Sequence, residues 1–288
     1  MRVLFWGLAL VLLTGCQAED QPEAISETDN PRAAADSVAE PIEADAPSEL
    51  AADFAPRKPV IEETIAYGEA TDRNLIGVLT LPADSFEPPP GVLLIHEWWG
   101  LNDTARMLAR RLAGEGFVVL ALDLYDGEVA ESTIQAQGLM TRVMTEPQAA
   151  LENIRQGIQY LRLYALAPRV AVIGWSFGGT WSLQTGISHA DQVDAVVTYY
   201  GQIVNSETEI DRLQSPLLGV FAGQDQSITA DAVVSFRSQL RRADKDAELR
   251  IYPDVRHEFA TPGSANYEPE NAENAWSLTV DFLNRNLR

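Results

Sequence analysis

The chain has 288 residues, 46% of them apolar and 22% charged, ordinary proportions for a protein that buries a core. Acidic residues outnumber basic ones 42 to 21, a formal charge of -21, which argues against nucleic acid and against electrostatic adhesion to anionic lipid. One cysteine and three histidines allow no intramolecular disulfide and no close-spaced metal motif.

The first element is an address. Met1-Arg2 precedes Val3 to Leu13, an apolar run of about ten residues that reads as a secretory signal too short to span a bilayer. Leu13-Thr-Gly-Cys16 resembles the bacterial lipobox. The resemblance implies removal of residues 1–15, a diacylglycerol thioether on Cys16, and a membrane partner reached through that lipid. Localisation is then the bacterial cell envelope, and Gln17 rather than Asp after the cysteine points to the outer membrane. The alternative is an ordinary signal cleaved elsewhere, which would release a free protein. Residues 16–59 follow as an acidic segment rich in Ala, Pro and Ser, with Arg32, Arg57 and Lys58 as its cations. Low hydrophobicity and like charge predict a disordered tether.

From residue 60 the texture becomes that of a globular domain extending to residue 288. Ile61–Tyr67 and Asn74–Leu81 read as a strand pair, and Gly91–His96 as a strand buried on both faces. A helix is predicted over 102–115, ended by Gly116, followed by a buried strand over 117–123. Two helices are predicted over 131–145 and 147–166, with Pro147 opening the second. Further strands are predicted at 169–173, 193–200, 216–222 and 247–252, and helices at 229–243 and 267–285. This alternation calls for an α/β fold: a mostly parallel central sheet with helices on both faces.

The stretch with most chemical content is Val170-Ala-Val-Ile-Gly-Trp-Ser-Phe-Gly-Gly179. Strand, Gly-x-Ser-x-Gly and helix in that order form the nucleophile elbow of an α/β-hydrolase. Ser176 is the candidate nucleophile, Gly174 and Gly178 allow close backbone approach, and the Phe177 amide is a candidate oxyanion donor. A base and an orienting acid should follow in the order acid, then histidine. His257 stands after the last strand and is the expected base. His189 reads as a helix C-terminal residue and His96 as a loop-shaping one. Asp225 in Gly223-Gln-Asp225, past a strand end, is the expected acid, with Asp254 and Asp231 as substitutes.

Ile95-His-Glu-Trp-Trp-Gly-Leu-Asn102, Asp123-Leu-Tyr125, the elbow, Gly223-Gln-Asp225 and His257-Glu-Phe259 together resemble the dienelactone hydrolase family. The resemblance spans residues 60–288. It implies cofactor-free cleavage of small ester or lactone substrates, with Ser176, His257 and Asp225 as the catalytic residues. It also implies that the Trp98 amide pairs with that of Phe177 at the oxyanion, and that Glu97 and Tyr125 shape the site. Two positions depart from the family pattern. Ser176 replaces a cysteine whose ionisation a glutamate matching Glu97 controls, a task that does not transfer to a hydroxyl. Asp126-Gly127 stands where dienelactone-cleaving members carry an arginine for the substrate carboxylate, which points away from dienelactone itself. Arg106, Arg142 and Arg256 are the candidate replacements for that cation. A peptidase or thioesterase using the same triad, and a non-catalytic envelope-binding module on the same fold, are the competing expectations.

Overall fold

The computed structural model describes residues 54–85 and 87–288. The expected signal, Cys16 and all but the last few residues of the acidic tether lie outside the described residues. Eight strands form one sheet: β1 (Val60–Ala70), β2 (Arg73–Pro82), β3 (Gly91–Ile95), β4 (Val118–Leu122), β5 (Val170–Trp175), β6 (Ala195–Tyr199), β7 (Leu217–Ala222) and β8 (Ala247–Tyr252). Their spatial order is β1-β2-β4-β3-β5-β6-β7-β8. β1, β2 and β4 pair antiparallel, and every pair from β4 through β3 to β8 is parallel.

The central strands are apolar at consecutive positions because both faces of the sheet are covered. Leu93 and Ile95 of β3 face a core shared with α2 (Thr133–Thr145), α3 (Pro147–Leu163) and α4 (Phe177–Ser188). Val92 and Leu94 face the opposite core, built with α1 (Asp103–Gly114) and α7 (Pro269–Leu287). Each such side chain, fully withdrawn from water, contributes roughly 1.5–3 kcal/mol before entropy is counted. Two further helices, α5 (Glu207–Arg212) and α6 (Ala230–Arg242), precede β7 and β8.

The expected α/β architecture is the one observed. The predicted helix over 102–115 is α1, with the Asn102 side chain accepting a hydrogen bond from the Ala105 amide as its N-cap. β1 runs to Ala70, three residues beyond its expected end, where burial alternates between half-buried and exposed, while β2 matches the expected strand to within one residue at each end. Helix α5 has no counterpart in the sequence reading. It has six residues and buries only Ile210, too short to show a period. Packing also starts before residue 60: Phe54 is buried, its ring 5.7 Å from that of Tyr267, with the Arg111 guanidinium 4.9 Å above it.

The parallel strands all point the same way, so the turns after β3, β5, β6, β7 and β8 gather at one end of the sheet. In such sheets, ligands bind outside the carboxyl ends of the strands.

Candidate active site

β5 delivers Ser176 and α4 begins at the next residue. Ser176 has φ 51° and ψ -111°, backbone that an L-residue adopts at a cost on the order of 1–3 kcal/mol. Three contacts hold it there. The Ser176 amide donates to the Tyr199 carbonyl of β6 (2.9 Å), and the Ser176 carbonyl accepts from the Thr180 amide (2.9 Å). The turn is also packed backbone on backbone. A Cβ on Gly178 would lie 2.1 Å from the Ile95 carbonyl oxygen, and one on Gly174 would lie 2.2 Å from the Gly178 carbonyl. Only glycine fits either position, which explains the Gly-x-Ser-x-Gly spacing in steric terms.

Ser176 Oγ stands 2.9 Å from His257 Nε2, and His257 Nδ1 stands 2.6 Å from Asp225 Oδ2. The other oxygen of Asp225 accepts the Ser227 and Ile228 amides at 2.8 and 3.1 Å. With Nδ1–H donating to a carboxylate, the neutral imidazole presents Nε2 as acceptor to the serine hydroxyl. The two loops that carry the pair are tied together. The Gln224 amide donates to the Val255 carbonyl (2.9 Å), and Asn266 Nδ2 donates to the His257 carbonyl (3.0 Å). The Asp225 side chain is 1% exposed and that of His257 30%, so the imidazole is the part of the pair that meets solvent.

Charge follows this geometry. Burial alone would push the imidazole pKa down, but the Asp225 hydrogen bond and charge, with the Glu258 charge nearby, raise it above the ordinary value. Burial alone would push the Asp225 carboxyl up, but its His257 partner and two amide donors hold it below the usual range.

The turn after β3 brings Glu97 and Trp98 beside the elbow. Its neighbour His96 is buried, with Nδ1 donating to the Glu97 carbonyl (2.6 Å) and Nε2 accepting the Leu124 amide (3.1 Å). Both ring nitrogens are therefore used to brace the loop, and the ring stacks 5.9 Å from Phe177. Neither the Phe177 nor the Trp98 amide donates to an acceptor among the described residues. Tyr125 is fully buried, its ring 4.6 Å from His96 and 5.6 Å from Phe177, so it backs the elbow from the interior.

The remaining candidates lie elsewhere. His189 caps α4 and bonds the Leu151 carbonyl (3.1 Å). Asp231 is exposed in the first turn of α6, and Asp254 is exposed in the loop after β8. Of the candidate cations, Arg106 pairs with Glu62 (3.2 Å) and Arg142 with Glu128 (2.7 Å). Arg256 is exposed beside His257 and pairs with no described carboxylate. A cleft of about 330 Å³ lined by Arg73, Leu101, Arg106, Asp123 and Val129 contains none of Ser176, His257 and Asp225. Among the described residues, no group of three or more His, Cys, Asp or Glu is placed to hold a metal ion.

Sequence reasoning missed two site neighbours, Tyr200 and Thr261. The Tyr200 ring lies 4.9 Å from that of His257, and the Thr261 hydroxyl donates to Glu97 Oε1 (2.8 Å). Nothing in their residue types marks them, although Tyr200 ends a predicted strand at the carboxyl edge.

A mostly parallel sheet with an elbow at its centre, and acid and histidine loops further along the same edge, defines an α/β-hydrolase. The chain belongs to the dienelactone hydrolase family, whose model matches residues 75–287. It is 30% identical over 205 residues to "Protein usf" of Aquifex pyrophilus, covering 69% of this chain and 89% of that one. It is 27% identical over 206 residues to "Putative carboxymethylenebutenolidase" of Aquifex aeolicus, with the same two shares covered. The solved structure "m3DLH" is 26% identical with a TM-score of 0.71, covering 80% of this chain and 99% of that one. The chain is accordingly a hydrolase of this family.

Proposed function

We propose that this hydrolase cleaves small carboxylic esters or lactones through an acyl-enzyme on Ser176. The observation that carries the reading is the continuous chain from Ser176 Oγ to His257 Nε2, and from His257 Nδ1 to Asp225, at 2.9 and 2.6 Å. His257 takes the serine proton as Oγ attacks the acyl carbon, and Asp225 holds the imidazole in the tautomer that makes this possible. The same imidazole then gives that proton to the departing alkoxide. A water activated by His257 next attacks the acyl-enzyme and releases the acid. The amides of Phe177 and Trp98, which donate to no acceptor among the described residues, receive the oxyanion. Such donors are typically worth several kcal/mol of barrier. The relatives named as carboxymethylenebutenolidases support a lactone or ester as the substrate class.

Turnover of a short-chain p-nitrophenyl ester tests this reading. Ser176→Ala is expected to abolish it while leaving the circular dichroism spectrum unchanged. Retained turnover would remove Ser176 from the mechanism.

We further propose that Cys16 carries the lipid that holds the enzyme in the cell envelope. The lipobox resemblance and the acidic segment that follows it support this. Two or more acyl chains suffice for stable anchoring where one does not.

A further inference from the structure

Beneath the imidazole lies a second hydrogen-bonded chain that the triad does not use. Thr261 Oγ1 donates to Glu97 Oε1 at 2.8 Å, and the Tyr200 hydroxyl lies 2.7 Å from the same Thr261 oxygen. Because the threonine proton is committed to the carboxyl, the tyrosine is the donor in the second bond. All three side chains are buried. The chain joins three separate loops: Glu97 after β3, Tyr200 after β6 and Thr261 after β8. His257 sits four residues before Thr261 in the same loop, and its ring packs on that of Tyr200. The backbone here is strained as at the elbow: Tyr200 has φ 37° and Glu258 φ 65°. Strain of this kind persists only where surrounding contacts over-determine it.

We propose that Tyr200, Thr261 and Glu97 are positioning residues that hold the imidazole of His257 in register with Ser176. They do so by tying the histidine loop to the end of β6 and to the oxyanion turn. The inference rests on the ester-hydrolase reading above.

The charge state of the chain matters to its action. The groups that face the Glu97 carboxyl are Glu258, His257 and Thr261 from the loop after β8, and Tyr200 just after β6. His96, in its own turn, is kept neutral by burial. Burial, reinforced by the Glu258 charge and only partly offset by Thr261 and His257, pushes Glu97 up to about 8. At neutral pH Glu97 is therefore a carboxylic acid that adds no charge beside the Trp98 amide. Its ionisation places a buried negative charge next to the position where the oxyanion forms, and turnover falls. Thr261 favours the ionised form by donating to it, so removing that hydroxyl moves the ionisation to higher pH.

The test is a pH–rate profile on the p-nitrophenyl ester for the wild type, Thr261→Val, Thr261→Ser and Glu97→Gln. The wild-type profile should fall on an alkaline limb near pH 8. Thr261→Val should lower kcat about tenfold with little change in KM and move the limb upward, a loss of transition-state rather than ground-state interaction. Thr261→Ser, which keeps the donor, should restore both kcat and the limb. Glu97→Gln should remove the limb. An alkaline limb that persists in Glu97→Gln, or that Thr261→Val leaves in place, would overturn the inference while the ester-hydrolase reading stands. Absence of Ser176-dependent turnover in the wild type would instead remove that reading.

Discussion

Ser176 is held in backbone that a serine resists, and the positions that resist most surround it. Of the six non-glycine residues with positive φ among those described, Ser176, Tyr200 and Glu258 adjoin the imidazole of His257 or carry its nucleophile. That concentration is what a preorganised site requires, because the reacting groups gain nothing from reorganising during turnover. In the proposed mechanism Asp225 acts on the serine only through His257. Replacing it with Asn leaves the shape but offers Nδ1 an amide instead of a carboxylate, so the tautomer is no longer enforced. Asp225→Asn is expected to lower kcat by about 10⁴-fold, as tautomer loss does in comparable triads. It should also move the acid limb of kcat/KM. His257 lies above its ordinary 6.5 because of Asp225, and activity needs the neutral ring, so the wild-type limb falls above pH 6.5. The limb should shift downward in the variant, and an unmoved one would show that Asp225 does not set the imidazole's charge. At this scale the three side chains that the structure brings together, Ser176, His257 and Asp225, were legible because each follows an apolar run and stands in a required order. Thr261 and Tyr200 were not, since an ordinary hydroxyl becomes informative only when three loops converge on it.

The elements explain why the site forms at all. β3 and β5 are neighbours in the sheet, so the turn after β3 lies against the start of α4, and the Gly178 position meets the Ile95 carbonyl. Both partners in that contact are backbone, and neither can swing aside. Gly178→Ala should therefore destabilise the domain by at least about 3 kcal/mol, the upper range for overpacking. Chemical denaturation would measure this, and a variant of wild-type stability would mean the elbow is less tightly packed than described. The central strands and longer helices were readable from their apolar periods, and Pro147 at the start of α3 and Asn102 as the α1 cap behave as their chemistry dictates. α5 was invisible for a physical reason: one and a half turns burying a single isoleucine leave no repeat in the sequence. The end of β1 was placed early for a related reason, because its backbone pairing with β2 continues to Ala70, beyond the last buried residue, Tyr67.

The chain carries a formal charge of -21 and gathers Ser176, His257 and Asp225 at the carboxyl edge of its sheet. Packing on the domain reaches back to Phe54, inside the segment expected to be a tether. Phe54 and Trp276 both pack on Arg111, whose guanidinium lies 4.2 Å from the tryptophan ring and is also paired with Glu273. Cys16→Ser is expected to move the protein from the membrane fraction to the soluble fraction of its host, and continued membrane association would refute lipid anchoring there. The central claim is that Ser176 is an activated nucleophile, and covalent labelling tests it most directly. Full-length folded protein treated with a fluorophosphonate should gain a single adduct, mapped by peptide mass spectrometry to Ser176 and absent from Ser176→Ala. A folded protein that takes no label, or takes it at another residue, would contradict the account.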